Sequence, residues 1–385
     1  MTMLHFSREE LAARRHAACL SMAKRNLDGL VLFRQESMYY LTGYDTSGYT
    51  MFQAMYIAAD GRHALLTRPV DRIQAHETSI LEDIRIWNDR ENANPALDLR
   101  GLLEDYGVRG RRIGVEYHAY GLTGQRAKLV DAALDGFCQF EDASDLVRTL
   151  QLVKSSAELD YIRKAGALCN RLVDVSLAHC RPGASTKAIY GQMVRALMEN
   201  GGDPAASRWP IGAGKAALFG RYHTGDNIVG ESDDVVFEPG AAYRHYHACV
   251  MYNVIIGKAN ARQRDMNKIC AEALDACQDA LRPGRTVGEI YDLHAKIFAQ
   301  AGYRDATLSA CGYTMGAMYP PTWMDRPMFW TGNPQAIDTG MVYFLHMILF
   351  DRNAGASMCI GETAIVTDGE CERVNQIPRL PMEIG

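Results

Sequence analysis

An internal repeat constrains the second half of this chain more than any other feature. The turn Arg181-Pro182-Gly183 recurs as Arg282-Pro283-Gly284, and Ile189-Tyr190 recurs as Ile290-Tyr291, each 101 residues later. Each copy predicts two helices around the turn, a glycine stop and then strands. Two copies are too few for a solenoid. The repeat therefore predicts an α+β domain with a pseudo-twofold axis, in which two sheets meet at a cleft.

The first part of the chain has a different pattern. Strand-like apolar runs such as Leu30–Phe33 alternate with helical segments, which indicates a small α/β domain. A capping box at Ser155 and Glu158 then begins a long helix and marks the domain boundary. We predict domains over residues 1–152 and 153–385, because a chain of 385 residues is expected to need two cores.

Composition excludes several classes of function. A net charge of −5 gives no electrostatic basis for binding nucleic acid or an anionic membrane. No apolar run approaches the roughly 18 residues that span a bilayer. The segment Met1–Glu10 has no apolar signal-peptide core, and the ten cysteines form no C-x-x-C motif. These features predict a cytoplasmic protein with reduced thiols.

Three ionisable residues lie in apolar runs of the repeated domain. Glu238 ends the run from Val235, His346 ends the corresponding run of the second copy, and Glu362 lies in a later run. Because a buried ionisable group is costly unless it is paired, we expect the three to pair with one another or with a ligand. A buried ion pair that only fixes the interface between the two copies is the structural alternative.

Several motifs resemble the pita-bread fold family, which includes creatinase, prolidase, aminopeptidase P and methionine aminopeptidase. The resemblance covers nearly the whole chain. It is carried by Tyr40-Leu41-Thr42-Gly43-Tyr44, Lys154-Ser155, Arg181-Pro182-Gly183 and the late run from Glu362 to Gly369. It implies a creatinase-like N-terminal domain followed by a pita-bread catalytic domain.

The resemblance also assigns the positions that hold two divalent metals in metal-dependent members. There the ligands are two Asp, one His and two Glu, and the corresponding residues here are Glu238, Cys249, Tyr313, His346 and Glu362. Two hard metals need several converging carboxylate oxygens, which this set does not supply. We therefore expect no metal cofactor, with a single zinc on Glu238, Cys249 and His346 as the alternative.

The metal-free members that the chain resembles, creatinase and ectoine hydrolase, imply a hydrolase of a C–N bond in a small amide- or amidine-like compound. The resemblance to creatinase places the acid/base histidine at His223. We predict four catalytic residues: Glu238 as base or nucleophile, His223 as proton shuttle, and His346 and Tyr313 as hydrogen-bond donors to developing charge.

The predicted substrate is a zwitterionic or cationic small molecule. Its expected binding residues combine carboxylate, histidine, aromatic and arginine side chains: Glu362, Tyr243, His245, His247, Trp323, Arg34 and Tyr44. Arg34 and Tyr44 are placed in a Tyr/Gly-rich loop of the N-terminal domain. By resemblance, that domain of a second subunit closes the pocket, so a homodimer is expected.

Two other functions stay open. One is a metal-dependent peptidase that acts on X-Pro dipeptides. The other is a catalytically inactive binding protein of the same fold, which predicts a shallow site and a buried pair of Glu238 with His346.

Overall fold

The computed structural model describes residues 3–225 and 227–385. It divides into two compact units after Gln151, one residue before the predicted boundary. Within the described residues, no helix has the length and apolar character needed to cross a membrane.

The helices of the described residues are α1 (Arg8–Lys24), α2 (Gln35–Thr42), α3 (Arg72–Thr78), α4 (Pro95–Asp105), α5 (Gly124–Leu134), α6 (Leu146–Leu150), α7 (Ser156–His179), α8 (Thr186–Glu199), α9 (Ala261–Ala280) and α10 (Val287–Gln300). The strands are β1 (Gly29–Leu32), β2 (Ala54–Ala58), β3 (His63–Thr67), β4 (Asp83–Ile86), β5 (Arg112–Val115), β6 (Gln139–Asp142), β7 (Ile211–Ala213), β8 (Asp234–Phe237), β9 (Gly240–Tyr243), β10 (Tyr246–Ile256), β11 (Gly312–Thr314), β12 (Asp325–Met328), β13 (Val342–Asp351), β14 (Ala356–Ile365), β15 (Glu372–Arg373) and β16 (Met382–Ile384).

The N-terminal unit is a mixed sheet covered on both faces. Its strand order is β4-β3-β2-β1-β5-β6, with β1 antiparallel to β2 and parallel to β5. Side chains alternate along β1, so Val31 belongs to one apolar core while Leu30 and Leu32 belong to the other. This arrangement confirms the predicted α/β unit.

The predicted Tyr/Gly-rich loop of this unit is largely helical, which corrects two site residues. Helix α2 occupies Gln35–Thr42. Arg34 precedes it, and its guanidinium pairs with Glu36 at 3.2 Å and donates to Gln151 Oε1 at 3.1 Å. Tyr44 is fully buried and its hydroxyl donates to Gln53 Oε1 at 3.3 Å. Both side chains are therefore held inside the unit rather than presented on a loop to a substrate.

The second unit has the predicted repeat. Helices α7 and α8 with strands β7, β8 and β10 form one copy, and α9 and α10 with β11, β13 and β14 form the other. The sheet order β12-β11-β13-β14-β10-β8-β7 places the copies about a central antiparallel pair, β14 with β10. The predicted α+β class and the pseudo-twofold domain are confirmed.

The register of the central strands assigns side chains to two faces. Met251 lies opposite Gly361, and Gly361 lies opposite His346. Val250 and Tyr252 point the other way, since successive side chains alternate, and the Tyr252 hydroxyl contacts Ser176 of α7 at 2.6 Å. We call this second side the helix face. The opposite side, which carries Met251, Gly361 and His346, is the cleft face.

Glu362 lies on the helix face, because it is opposite Val250 and Leu345, and it does not share the cleft face with His346. It is fully buried and pairs with Arg373 at 2.8 Å and with Arg379 at 3.0 Å, and it accepts from Gln278 Nε2 at 2.8 Å. Burial raises the pKa of Glu362, but the hydrogen bonds from the two arginines outweigh it and hold the pKa below its ordinary value. Glu362 therefore joins the C-terminal segment to α9. Its predicted pairing with His346 or a substrate was wrong.

We expect Glu362→Gln to lower the free energy of unfolding by about 3–5 kcal/mol, because it leaves two arginines without their buried partner. Urea denaturation followed by circular dichroism measures this. The matched control is Glu372→Gln, which breaks the half-exposed pair with Arg163 and is expected to cost less than about 1 kcal/mol. Equal losses for the two variants would contradict the structural role of Glu362.

Candidate active site

Glu238 follows β8 on the cleft side of the sheet. The neighbouring strand β7 pairs with β8, Ile211 opposite Phe237, and the Glu238 N–H donates to the Pro210 carbonyl at 3.0 Å. The side chain is half-buried. Burial raises the pKa of Glu238 to about 7, and the nearby Arg221 guanidinium opposes part of that rise. A carboxyl group with such a pKa can accept or return a proton near neutral pH.

Glu238 lines a cavity of about 820 Å³. One wall is a stripe of α8 residues at helical spacing, Tyr190, Val194, Leu197 and Met198. The adjacent stripe of the same helix, which includes Ile189, is buried in the core. Helix α8 thus contributes an apolar wall to a cavity whose size is typical of small-molecule sites.

The other wall carries polar and aromatic groups. Arg208, Trp209, Arg221 and Tyr222 line it together with Glu238. Arg208 lies over the Tyr222 ring at 5.3 Å, and the Trp209 ring is 5.0 Å from that of Tyr190. Two guanidinium groups therefore accompany one carboxyl group in this lining. That charge balance disagrees with the prediction of a purely cationic substrate.

A chain of aromatic contacts leads from the cavity into the cleft face. Trp323 lines the cavity, and its Nε1 donates to the Tyr313 hydroxyl at 2.9 Å. The Tyr313 ring lies 5.7 Å from the His346 ring. Burial lowers the pKa of His346 to about 4, so this imidazole is neutral at pH 7. The cavity wall thus presents Trp323 directly, with Tyr313 and His346 behind it.

A tight hairpin joins β9 to β10 near His245 and His247. The Pro-Gly step after Glu238 leads into β9, and the reversal occurs at Arg244 and His245, which have φ of 50° and 67°. His245 stacks on Tyr319 with ring centroids 4.1 Å apart. His245 therefore lies in the turn between β9 and β10.

His247 and Tyr243 lie beside the cavity lining rather than in it. His247 is fully buried, and its Nε2 accepts from the Ala206 N–H at 2.9 Å. Burial lowers the pKa of His247 to about 4. Tyr243 packs 5.5 Å from the Tyr161 ring, with Lys164 over its face at 4.9 Å. Direct substrate contact by Tyr243, His245 or His247 is not supported by these positions; His247 instead holds the segment at Ala206, which lines the cavity.

His223 also lies outside the lining among the described residues. Its ring meets the Phe219 ring edge-on at 5.1 Å, and the preceding residues Arg221 and Tyr222 reach the cavity instead. His223 does not join Glu238 in the cavity lining, and its role as proton shuttle stays a prediction.

Sequence patterns did not predict the arginines, the tryptophan or the apolar helix residues that line the cavity with Glu238. Arg208, Trp209 and Arg221 come from two separate loops, and the stripe from Tyr190 comes from a helix. The one local signal was the run Ser207-Arg208-Trp209-Pro210 directly before β7.

Comparison with known proteins identifies the family. Residues 160–368 match metallopeptidase family M24, and residues 14–153 match the creatinase/prolidase N-terminal domain. The chain belongs to metallopeptidase family M24. It is a hydrolase with the pita-bread fold, as its motifs predicted.

Individual relatives cover nearly the full length. The chain is 25% identical over 393 residues to the ectoine hydrolase of Halomonas elongata, covering 98% of each protein. It is 21% identical over 359 residues to the Xaa-Pro dipeptidase of Pyrococcus furiosus, covering 93% of this chain and 96% of the relative. The crystal structure of dipeptidase PepE from Mycobacterium ulcerans superposes with a TM-score of 0.85 at 22% identity, covering 98% of this chain and 99% of that chain.

The family name implies metal ions, but the residues at the corresponding positions do not suit them. The Tyr313 hydroxyl already accepts from Trp323, and Cys249 offers a sulfur where two hard metal ions need a carboxylate oxygen. Glu362 points to the helix face, where Arg373 and Arg379 hold its carboxylate away from the cleft. Within the described residues, no group of three His, Cys, Asp or Glu could hold a metal ion.

We expect Glu238→Gln to gain stability relative to the wild type as pH rises from about 4.5 to about 7. In that window the unfolded state has lost the Glu238 proton while the folded state keeps it, so folding of the wild type becomes less favourable. The gain is on the order of 2 kcal/mol after allowance for partial solvation. Urea denaturation across pH measures it.

The control for this titration is Glu231→Gln, whose carboxylate is exposed on the loop before β8. A flat difference between Glu238→Gln and wild type across the same pH range would contradict the raised pKa.

Proposed function

We propose that this protein hydrolyses a C–N bond in a small amide- or amidine-like compound without a metal ion. The observation that carries the proposal is Glu238, a carboxyl group with pKa about 7 on the wall of a cavity of about 820 Å³, in a family whose metal positions here hold unsuitable donors.

In this mechanism Glu238 acts as the general base. It removes a proton from water as the water oxygen attacks the electrophilic carbon of the amide or amidine. The protonated carboxyl group then returns the proton to the leaving nitrogen, so one residue with pKa near neutrality serves both steps. This replaces a separate shuttle at His223. Tyr313 and His346 support the wall through Trp323 and do not need to touch the substrate.

The similarity to the ectoine hydrolase of Halomonas elongata supports the C–N reading, since that relative matches over 98% of both chains. The cavity lining supports a substrate that carries both an apolar part and charge, which retains the zwitterionic half of the original expectation. Nucleic acid and membranes are not proposed as partners.

A metal-dependent X-Pro dipeptidase is the second candidate, favoured by the relative from Pyrococcus furiosus. The side chains Tyr313 and Cys249 argue against it, because one is already hydrogen-bonded to Trp323 and the other offers sulfur where two hard metal ions need carboxylate oxygen. An inactive binding protein predicts a shallow site, whereas a cavity of about 820 Å³ is ample for a substrate. A homodimer and a cytoplasmic location remain predictions of this proposal.

We expect Glu238→Gln to lower kcat/KM for amide or amidine hydrolysis by about 10²–10⁴-fold, because the amide cannot accept the proton of water. For the wild type, kcat/KM should rise with pH through about 7, as the carboxyl group ionises. Steady-state kinetics on cyclic amidines, lactams and N-acyl amino acids measure both effects. Glu231→Gln is the control, and an undiminished rate in Glu238→Gln would remove Glu238 from the mechanism.

Prolonged dialysis against a chelator should leave kcat and KM unchanged, since no side chain in the proposed mechanism needs a metal. Elemental analysis of the purified protein accompanies the assay. Loss of activity that manganese or zinc restores, together with cleavage of X-Pro dipeptides, would favour the dipeptidase instead.

A further inference from the structure

The cavity has two chemically different ends that the proposed reaction alone does not require. At one end Glu238 lies beside Arg221, with Arg208 on the same wall. Tyr190 of α8 contacts Trp209 and Tyr222 on that wall. Val194, Leu197 and Met198 follow one to two turns later on the same helix, so at the other end they extend the cavity as an apolar arm. A compact ring such as a cyclic amidine needs only the first end. The second end indicates that the substrate has an apolar extension.

The arm has the features of a ligand surface and not only of core. Val194 is half-buried and Met198 is 48% exposed, whereas Leu197 is buried between the arm and the core stripe of Ile189 and Met193. Apolar side chains that face a cavity are stabilised when a ligand covers them, by about 25 cal/mol for each Å² removed from water. Methionine adapts to chains of different shape.

The charged end is suited to a carboxylate. The Arg221 guanidinium takes part in no ion pair within residues 3–225 and 227–385, although it influences Glu238 and Tyr313 electrostatically. A guanidinium group matches a carboxylate in charge and fork geometry. Arg208 adds a second positive charge on the same wall.

The Trp209 indole N–H is a third polar group on this wall, and it has no hydrogen-bond acceptor among the described residues. Trp209 lines the cavity and is 2% exposed. A buried donor without an acceptor costs about 1–3 kcal/mol, so a bound oxygen would remove that cost. An acyl carbonyl is such an oxygen.

Resting on the proposed function, we infer that the substrate is an N-acyl amino acid with an apolar acyl chain. The chain lies along α8, the carboxylate meets Arg221, and the scissile amide carbon faces Glu238. Water adds to the acyl carbon, the C–N bond breaks, and the products are a carboxylic acid and a free amino acid. No oxidant, reductant or co-reactant other than water is needed.

The test is a series of N-acylglycines from acetyl to octanoyl, assayed with the intact protein. We expect kcat/KM to rise about three- to fourfold for each added methylene until the arm is filled. Replacing the glycine carboxylate by its primary amide should lower kcat/KM about tenfold to a hundredfold. The ratio of kcat/KM for the carboxylate to kcat/KM for the primary amide should be smaller in Arg221→Gln than in the wild type. Taking this ratio cancels any effect of the variant on Glu238 that is common to both compounds.

Variants of α8 test the arm. Met198→Asp should reduce the advantage of octanoylglycine over acetylglycine by about tenfold, because a carboxylate in the arm must be desolvated. Gln192→Asp, on an exposed position of the same helix outside the cavity lining, is the matched control and should retain the full advantage. Circular dichroism checks that both variants fold.

Binding separates this inference from the proposed function. Calorimetry with Glu238→Gln measures affinity for the same series without turnover. Suppose that cyclic amidines are hydrolysed, while kcat/KM for the N-acylglycines depends neither on acyl length nor on the carboxylate. This result overturns the inference and leaves the proposed function standing. Suppose that Glu238→Gln binds N-acylglycines more tightly as the acyl chain lengthens, while the wild type hydrolyses no amide or amidine. This result supports the assigned ligand class and overturns the proposed hydrolysis. If the protein neither binds nor turns over any of these compounds, the result overturns both this inference and the proposed function.

Discussion

The antiparallel pairing of β10 with β14 is the interaction on which the site depends. It joins the two copies of the repeat, and its register, Met251 opposite Gly361, decides which side chains face the cleft. A shift of one residue would exchange the two faces of the strand. Under the observed register Glu362 points to the helices, where Gln278 and two arginines hold it, and the cleft face of β14 carries a glycine. The same pairing therefore stabilises the domain and removes one carboxylate from the site.

With that carboxylate absent, Glu238 is the acid that remains in the cavity lining. Its pKa is decided by desolvation, which favours the neutral form, against the field of Arg221, which favours the ionised form. In a site with two divalent ions, positive charge would hold such a carboxylate ionised and occupied as a ligand. Here the balance leaves the carboxyl group near neutrality and available for proton transfer. The change in chemistry follows from the surroundings of one residue.

Sequence reasoning found Glu238 because an apolar strand that ends in an acid is a local pattern, and it found the repeat because the turns recur at one offset. It paired Glu362 with the wrong partners because β14 is buried almost throughout. No alternation of polar and apolar residues therefore shows which side chains of this strand face the cleft. The reversal between β9 and β10 uses Arg244 and His245 with positive φ, and no local pattern marks it because these residue types are weak turn signals. Arg208 and Arg221 were missed because only the fold brings their loops together.

Three aromatic residues, Trp323, Tyr313 and Phe344, pack together at the position where metal-dependent relatives hold their histidine ligand. Tyr313 is fixed by Trp323, Phe344 occupies the space beside Gly361, and Cys249 lies against Gly240 together with Trp323. At Gly361, a substitution to Asp or Glu would have to displace the Phe344 ring, since even a Cβ there would lie 2.7 Å from it. Buried rings also lower the local polarity that Glu238 experiences, which is what raises its pKa. The packing that excludes an oxygen-rich metal site and the electrostatics that prepare Glu238 as a base therefore have the same physical origin.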